Sequence, residues 1–202
     1  MNIKAYIKAY IYILSCIMKL FVLRHEKRGD SPLPLSPLTS DGFIDSLQLI
    51  RKINQINPDI IYCSPFLRTI ETIYPYCRFH NKTVNIENSL YEFVHAKEFN
   101  RSNYIHRISD LNKNAYQELM TKCINHNYKS LLNVYDINLP EVEENLFHRV
   151  NKFMFSLESD KTLQNKKILF VTHMSTVNAV KSYFTPTYLE TPFQMGYIEQ
   201  VC

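Results

Sequence analysis

Three short apolar runs in this chain stop abruptly at polar residues: KLFVL before Arg24-His25, DIIYC before Ser64, and KILFVT before His173. Runs this continuous in Val, Ile, Leu and Phe are the pattern of strands buried on both faces, and such strands belong to parallel sheets covered by helices. Helical segments alternate with them. The predicted fold is therefore α/β, a mostly parallel central sheet with helices on both faces. In open sheets of this kind ligands bind outside the carboxyl ends of the strands. Two strands that each end in a histidine can thus bring His25 and His173 to one edge despite their distance in sequence.

The connecting segments carry their own signals. Residues 31–38 (SPLPLSPL) form a proline-rich surface loop, and Thr39 is placed to cap a helix through about residue 55. Ser64-Pro65 is expected to open a second helix, with Pro75 ending or kinking it near Tyr74. Residues 83–87 read as a third strand, and residues 196–201 as an edge strand. Pro140 is expected to start a helix to about residue 158, with Glu141, Glu143 and Glu144 facing the positive end of its dipole. A further helix is expected over residues 175–184. The polar stretch between, residues 93–138, is expected to hold irregular helices and to lie over the site as a cap. Its Lys97, Arg101, Tyr104, His106 and Arg107 are candidate substrate contacts.

Length and charge narrow the function classes. The chain has 202 residues, enough for one domain with a sizeable core, which we place at residues 19–202. A net charge of +4 and the lack of a long basic run argue against nucleic-acid binding. Five scattered cysteines show no disulfide framework and suit a reducing, cytoplasmic setting. Residues 1–18 place Ile3, Tyr6, Ile7, Tyr10, Ile11 and Leu14 on one helical face. That segment fits an amphipathic helix docked on the domain or a membrane, a chain that starts at Met18, or a signal. The pairs Cys77/His80 and Cys123/His126 have ligand-like spacing but lie in different segments, so no metal is expected. His95, His106 and His148 read as ordinary surface or half-buried residues.

Arg24 and Arg28 flank His25, and Arg68 lies one turn into the helix after the second strand. Three arginines and two histidines at one edge suit a phosphate dianion, because the guanidinium fork matches phosphate oxygens bidentately.

These residues also carry a resemblance. Arg24-His25-Glu26-Lys27-Arg28-Gly29-Asp30 resembles the Arg-His signature of the histidine phosphatase superfamily, also called phosphoglycerate-mutase-like. Leu38-Thr39-Ser40-Asp41-Gly42 is similar to its Leu-Thr-x-x-Gly, and Ser64-Pro65-Phe66-Leu67-Arg68-Thr69-Ile70-Glu71-Thr72 to its Ser-Pro-x-x-Arg-x-x-x-Thr. Leu90-Tyr91-Glu92 is similar to Leu-x-Glu, and Val171-Thr172-His173 to the start of Val-Thr-His-Gly. The motifs keep the family's order.

The resemblance implies a three-layer fold and a phosphatase that needs no metal or cofactor. His25 would be the nucleophile that forms a phosphohistidine, Glu92 the general acid, and Arg24, Arg28, Arg68 and His173 the holders of phosphoryl oxygens. Glu87 and Glu98 are neighbouring candidates for the acid. The substrate would be a phosphorylated small molecule or a phosphoprotein. The mutases of the family carry a Trp-Asn pair where this chain has Asp30-Ser31, which favours hydrolysis over mutase chemistry. Two departures point to an alternative, a module that binds phosphorylated partners without turnover. Glu26 stands where glycine is usual, and a carboxylate there repels phosphate unless it turns away or pairs with Lys27. Met174 replaces the glycine after the second histidine, where the backbone is expected to differ.

Overall fold

A computed structural model describes residues 18–31, 33–95, 122–137, 139–185 and 192–202. The strands are β1 (Lys19–Arg24), β2 (Ile60–Cys63), β3 (Asn85–Ile86), β4 (Lys167–Thr172) and β5 (Ile198–Gln200). The helices are α1 (Ser40–Ile56), α2 (Leu67–His80), α3 (Glu143–Ser159) and α4 (Met174–Phe184). The sheet order is β3-β2-β4-β1-β5, parallel except for β5, which runs antiparallel to β1 at the edge.

The period-2 alternation of the strands sorts their side chains into two cores. Leu23, Ile61, Cys63, Leu169 and Val171 pack with Leu49 and Ile53 of α1 and with Ile70, Ile73 and Tyr76 of α2. Leu20, Val22, Tyr62, Ile168 and Phe170 pack on the other side with Val150, Phe153 and Met154 of α3 and with Val177 and Val180 of α4. Full burial of each such aliphatic or aromatic side chain contributes about 1.5–3 kcal/mol. Both faces of the sheet are covered, as continuous apolar strands require.

Helix ends follow local chemistry. The Thr39 side chain accepts from the Gly42 amide at 3.0 Å and caps α1. With only three glycines in the chain, asparagine takes the left-handed positions that close helices: Asn57 (φ 49°) ends α1 and Asn81 (φ 50°) ends α2.

Three elements differ in extent from the sequence expectation. The second helix starts at Leu67 rather than at Ser64-Pro65, and it runs through Pro75 to His80. A proline inside a helix costs about 3 kcal/mol, but Tyr76 and Cys77 beyond it are each 1% exposed in the core, and that packing carries the helix on. The third strand shrinks to Asn85–Ile86 because Val84 pairs instead with Ile124. Its amide donates to the Cys123 carbonyl at 2.7 Å. The helix expected from Pro140 begins at Glu143, which leaves Glu141 ahead of it.

The expected N-terminal helix (all but Met18) and the candidate cap contacts Lys97, Arg101, Tyr104, His106 and Arg107 lie outside the described residues. The described end of the expected cap, residues 122–137, runs along the sheet edge at β3. Among the described residues no helix is long and apolar enough to cross a membrane.

Candidate active site

Parallel register delivers the first group of residues. Arg24 pairs with Thr172 and Cys63 with Val171, so β1, β2 and β4 end level. The ladder continues one step further: the His25 amide donates to the Thr172 carbonyl at 3.0 Å and the Ser64 amide to the Val171 carbonyl at 2.9 Å. His25 and His173 thus meet edge to face with ring centroids 5.2 Å apart. The expected convergence of two distant histidines is a direct consequence of the strand pairing.

The loop after His25 is gripped on its main chain. The Glu26 amide donates to Thr72 Oγ1 at 3.0 Å, and the Lys27 carbonyl accepts from the Thr39 amide at 2.9 Å. Gly42 lies against the Lys27 backbone so closely that a Cβ there would collide with the Lys27 carbonyl. Glycine is needed at this point for the approach, not for flexibility. The His25 Nδ1–H donates to the Glu26 carbonyl at 2.7 Å, which makes Nε2 the unprotonated ring nitrogen, an acceptor.

Around His25 Nε2 the polar groups close in. The Arg68 guanidinium, only 1% exposed, lies over the Phe66 ring. Its Nε donates to His25 Nε2 at 3.3 Å and its NH1 to the Leu33 carbonyl at 3.0 Å. Its NH2 lies 3.6 Å from Glu92 Oε2. Ser64 Oγ accepts from the Phe66 amide at 3.3 Å and lies 2.8 Å from His173 Nε2. With the serine hydroxyl donating to Nε2, the His173 proton sits on Nδ1. That nitrogen is 3.3 Å from Glu92 Oε2, an ion-pair distance without hydrogen-bond geometry, and it has no hydrogen-bond partner. Arg24 donates through NH1 to the Phe193 carbonyl at 2.6 Å, while its buried Nε has no hydrogen-bond partner. An unpaired buried N–H costs about 1–3 kcal/mol until something accepts from it, so the Arg24 Nε and His173 Nδ1 donors each favour an acceptor such as an anionic oxygen.

Electrostatics set the protonation states. Burial, with the charges of His173 and Arg68, holds the His25 imidazole well below its usual range and therefore neutral. Burial likewise pushes His173 down to about 4, opposed by Glu92. Burial would raise the Glu92 carboxyl, but the His173 imidazole beside it and the Arg68 guanidinium outweigh that and hold it down at about 2. The site thus contains a neutral imidazole at His25 and an ionised carboxylate at Glu92.

His25, Glu92 and His173 bring three potential metal-ligand atoms within 4.8 Å of one another. Arg68 disfavours a cation there: its guanidinium lies 3.3 Å from His25 Nε2 and 3.6 Å from Glu92 Oε2, so its fixed positive charge repels a metal and attracts an anion. The Cys77/His80 and Cys123/His126 pairs form no such cluster among the described residues.

Of the six residues singled out in sequence, the structure brings His25, Arg68, Glu92 and His173 into mutual contact, with Arg24 beside them. Arg28 is turned aside. Its guanidinium donates to the carbonyls of Gly29 (2.8 Å) and Ser31 (3.0 Å) in its own loop. Glu87 does not compete with Glu92, because its carboxylate already accepts from Ser89, Ser130, Leu131 and Tyr128. Glu98 lies outside the described residues.

The two departures resolve physically. The Glu26 side chain is 5% exposed and rests against Gly196, whose φ of +65° and missing Cβ make room for it. Lys27 pairs with Asp45 at 2.9 Å instead. Met174 takes ordinary helical backbone at the start of α4, which any residue adopts. Sequence reasoning missed Ser64 as the partner of His173, although the strand-end pattern places it at the same edge. It also misassigned Glu141: this carboxylate is 3% exposed and bonds Arg149 and Tyr91 rather than facing a helix dipole.

Known structures share the architecture. The ecdysone phosphate phosphatase of Bombix mori, in complex with tungstate, is 16% identical, with 89% of this chain and 83% of that one covered at a TM-score of 0.62. A mycobacterial glucosyl-3-phosphoglycerate phosphatase is 13% identical, covering 91% and 89% at a TM-score of 0.63. The phosphoserine phosphatase of Entamoeba histolytica is 17% identical, covering 89% and 88% at a TM-score of 0.56. At these identities the likeness is one of fold. No curated protein matches the chain in sequence. The family model of the histidine phosphatase superfamily (branch 1), however, matches residues 24–201, nearly the whole described domain, and the chain belongs to that superfamily.

Proposed function

We propose that this protein hydrolyses phosphate monoesters through a phosphohistidine on His25. Family membership supports phosphatase activity in general. The observation that carries the finer reading is the His25 Nδ1–H bond to the Glu26 carbonyl, which presents a neutral Nε2 to a pocket of cationic donors.

In this reading the ester's non-bridging oxygens take the free N–H groups of Arg24 and His173 and the guanidinium of Arg68. His25 Nε2 then attacks phosphorus, forming the N–P bond as the P–O bond to the leaving group breaks. The leaving oxygen needs a proton, and Glu92 is ionised in the free site. The anionic ester beside it raises its affinity for a proton, and an ester entering as the monoanion brings one, since the second phosphate pKa is about 6. Glu92 afterwards takes a proton from water, which attacks phosphorus and releases phosphate from His25. Arg68 and Arg24 supply the charge stabilisation that a metal would otherwise provide. The structural neighbours act on chemically unlike phosphates, which leaves the ester's organic part open between a small molecule and a phosphoprotein.

Hydrolysis of an aryl phosphate across roughly pH 5 to 8, a range that spans ordinary histidine titration, with a chelator present, tests this directly. Turnover that persists with chelator and falls at least ~10⁴-fold in His25→Ala is expected, on the scale of nucleophile deletions. Glu92→Gln should lose ~10² to 10⁴-fold, the range of general acid catalysis. Wild-type turnover left intact in His25→Ala, or phosphate esters bound without any turnover, would sink the proposal.

A further inference from the structure

The segment that carries Glu92 is held in an unusual way. Residues Ser89, Leu90 and Tyr91 precede it, and each of their three carbonyls accepts from a side chain of another element. Arg149 on α3 donates through NH1 to the Ser89 carbonyl at 2.6 Å and through NH2 to the Tyr91 carbonyl at 3.0 Å. Thr172 at the end of β4 donates to the Leu90 carbonyl at 2.7 Å, and Thr176 on α4 donates to the Tyr91 carbonyl at 2.8 Å.

Arg149 is itself fixed. It is 5% exposed, lies over the Tyr91 ring at 3.6 Å, and is bonded to Glu141 through Nε (2.7 Å) and NH2 (3.1 Å). Tyr91 closes the ring of contacts by donating its hydroxyl to Glu141 Oε1 at 2.5 Å. A buried guanidinium is costly unless paired and fully bonded. Here its planar fork bonds the backbone on both sides of Leu90, which a lysine ammonium cannot do. The peptide carbonyl of Tyr91 is the atom group from which Glu92 departs, so its orientation sets where the Glu92 carboxylate lies relative to His173 and Arg68.

We infer that Arg149, braced by Glu141, is a positioning residue for Glu92: its fork on the Ser89 and Tyr91 carbonyls aims the acid at the leaving oxygen. The inference rests on the proposed role of Glu92. A general acid matters most for a leaving group of high pKa and least for one that departs as a stable anion. Misplacing a catalytic group by about 1 Å can cost ~10²-fold. Loss of the brace should therefore depend on the leaving group, whereas a merely structural loss lowers all rates alike.

The test is the rate of alcohol release in the first turnover, by rapid mixing, for a series of aryl phosphates and one alkyl phosphate. Wild type, Glu92→Gln, Arg149→Lys and Thr176→Val are compared, with thermal melts beside them. Arg149→Lys should slow the alkyl phosphate ~10²-fold and the nitrophenyl ester far less, with KM little changed. Thr176→Val keeps Glu141 paired and removes one donor to the Tyr91 carbonyl. It should show the same leaving-group dependence more weakly, and it decides the matter if Arg149→Lys does not fold. Uniform losses across the series, or none, in both variants while Glu92→Gln is leaving-group dependent would overturn the inference alone. If Glu92→Gln shows no such dependence, the role of Glu92 falls and the inference falls with it.

Discussion

His25 and Glu92 face each other across the site but are held there by different means. The His25 loop continues a strand. Its amide extends the β1–β4 ladder, its neighbours bond through main-chain atoms, and Gly42 and Gly196 make room for it by lacking a Cβ. The Glu92 loop follows a short 3-10 turn (Asn88–Leu90) and has no such ladder. Side chains of Arg149, Thr172 and Thr176 take its carbonyls, and Glu87 ties its start to residues 130 and 131. A loop supported by backbone is vulnerable to added bulk. A loop supported by side chains is vulnerable to lost charge.

Substitutions can break this contrast. The largest expected effect on stability falls on the acid side: Glu141→Gln leaves the buried Arg149 charge without its carboxylate and should cost about 3–5 kcal/mol, as breaking a buried ion pair does. Urea unfolding measures it, and a loss under about 1 kcal/mol would mean that water or another group takes over from Glu141.

Acid should strike the histidine side next. The His173 pKa is lowered on folding from 6.5 to about 4, so the unfolded chain binds the extra proton in that window. Stability is then full above about pH 6.5 and falls as pH drops toward 4. Glu92, lowered from 4.5 to about 2, adds a further loss below pH 4.5. Melting temperatures followed from pH 8 to 4 should be flat and then fall. His173→Asn should lessen that fall without abolishing it, because His25, also held well below its usual range, adds to it in the same window, and an unchanged slope would remove His173 as a cause.

The smallest effect belongs to the nucleophile loop's packing. Gly42→Ala pushes a methyl group into the Lys27 carbonyl and should cost about 1–3 kcal/mol by overpacking. It should also slow turnover while leaving the Glu141–Arg149 pair intact. Equal sensitivity of the two loops to both kinds of change would erase the distinction drawn between them.

The two loops also differ in how far they can be read without a fold. The frame of the His25 side announces itself locally: an apolar run that stops at Arg24-His25, another that stops at His173, and an arginine near the start of the helix after the third. Strand pairing between such runs is close to obligatory, so their ends coincide. The errors lie where distant packing outweighs local preference. Pro75 fails to end its helix because Tyr76 and Cys77 are buried beyond it. Glu141 sits two and three residues from the exposed Glu143 and Glu144 and looks like one of them.

By itself the sequence determined the α/β class, the parallel strand ends, and the meeting of His25, His173 and Arg68, because apolar runs and their abrupt polar ends are local, and its ordered motifs carried the resemblance to the family. Only the tertiary structure decided that Glu26 turns to Gly196, that Arg28 stands aside, that Ser64 orients His173, and that Arg149 and Glu141 hold the loop of Glu92. Apart from Arg28, whose bonds stay within its own exposed loop, each of these depends on which polar group finds which partner across the core. That choice is made by burial, where an unpaired charge or donor is too costly to keep, and it leaves no periodic trace in the chain.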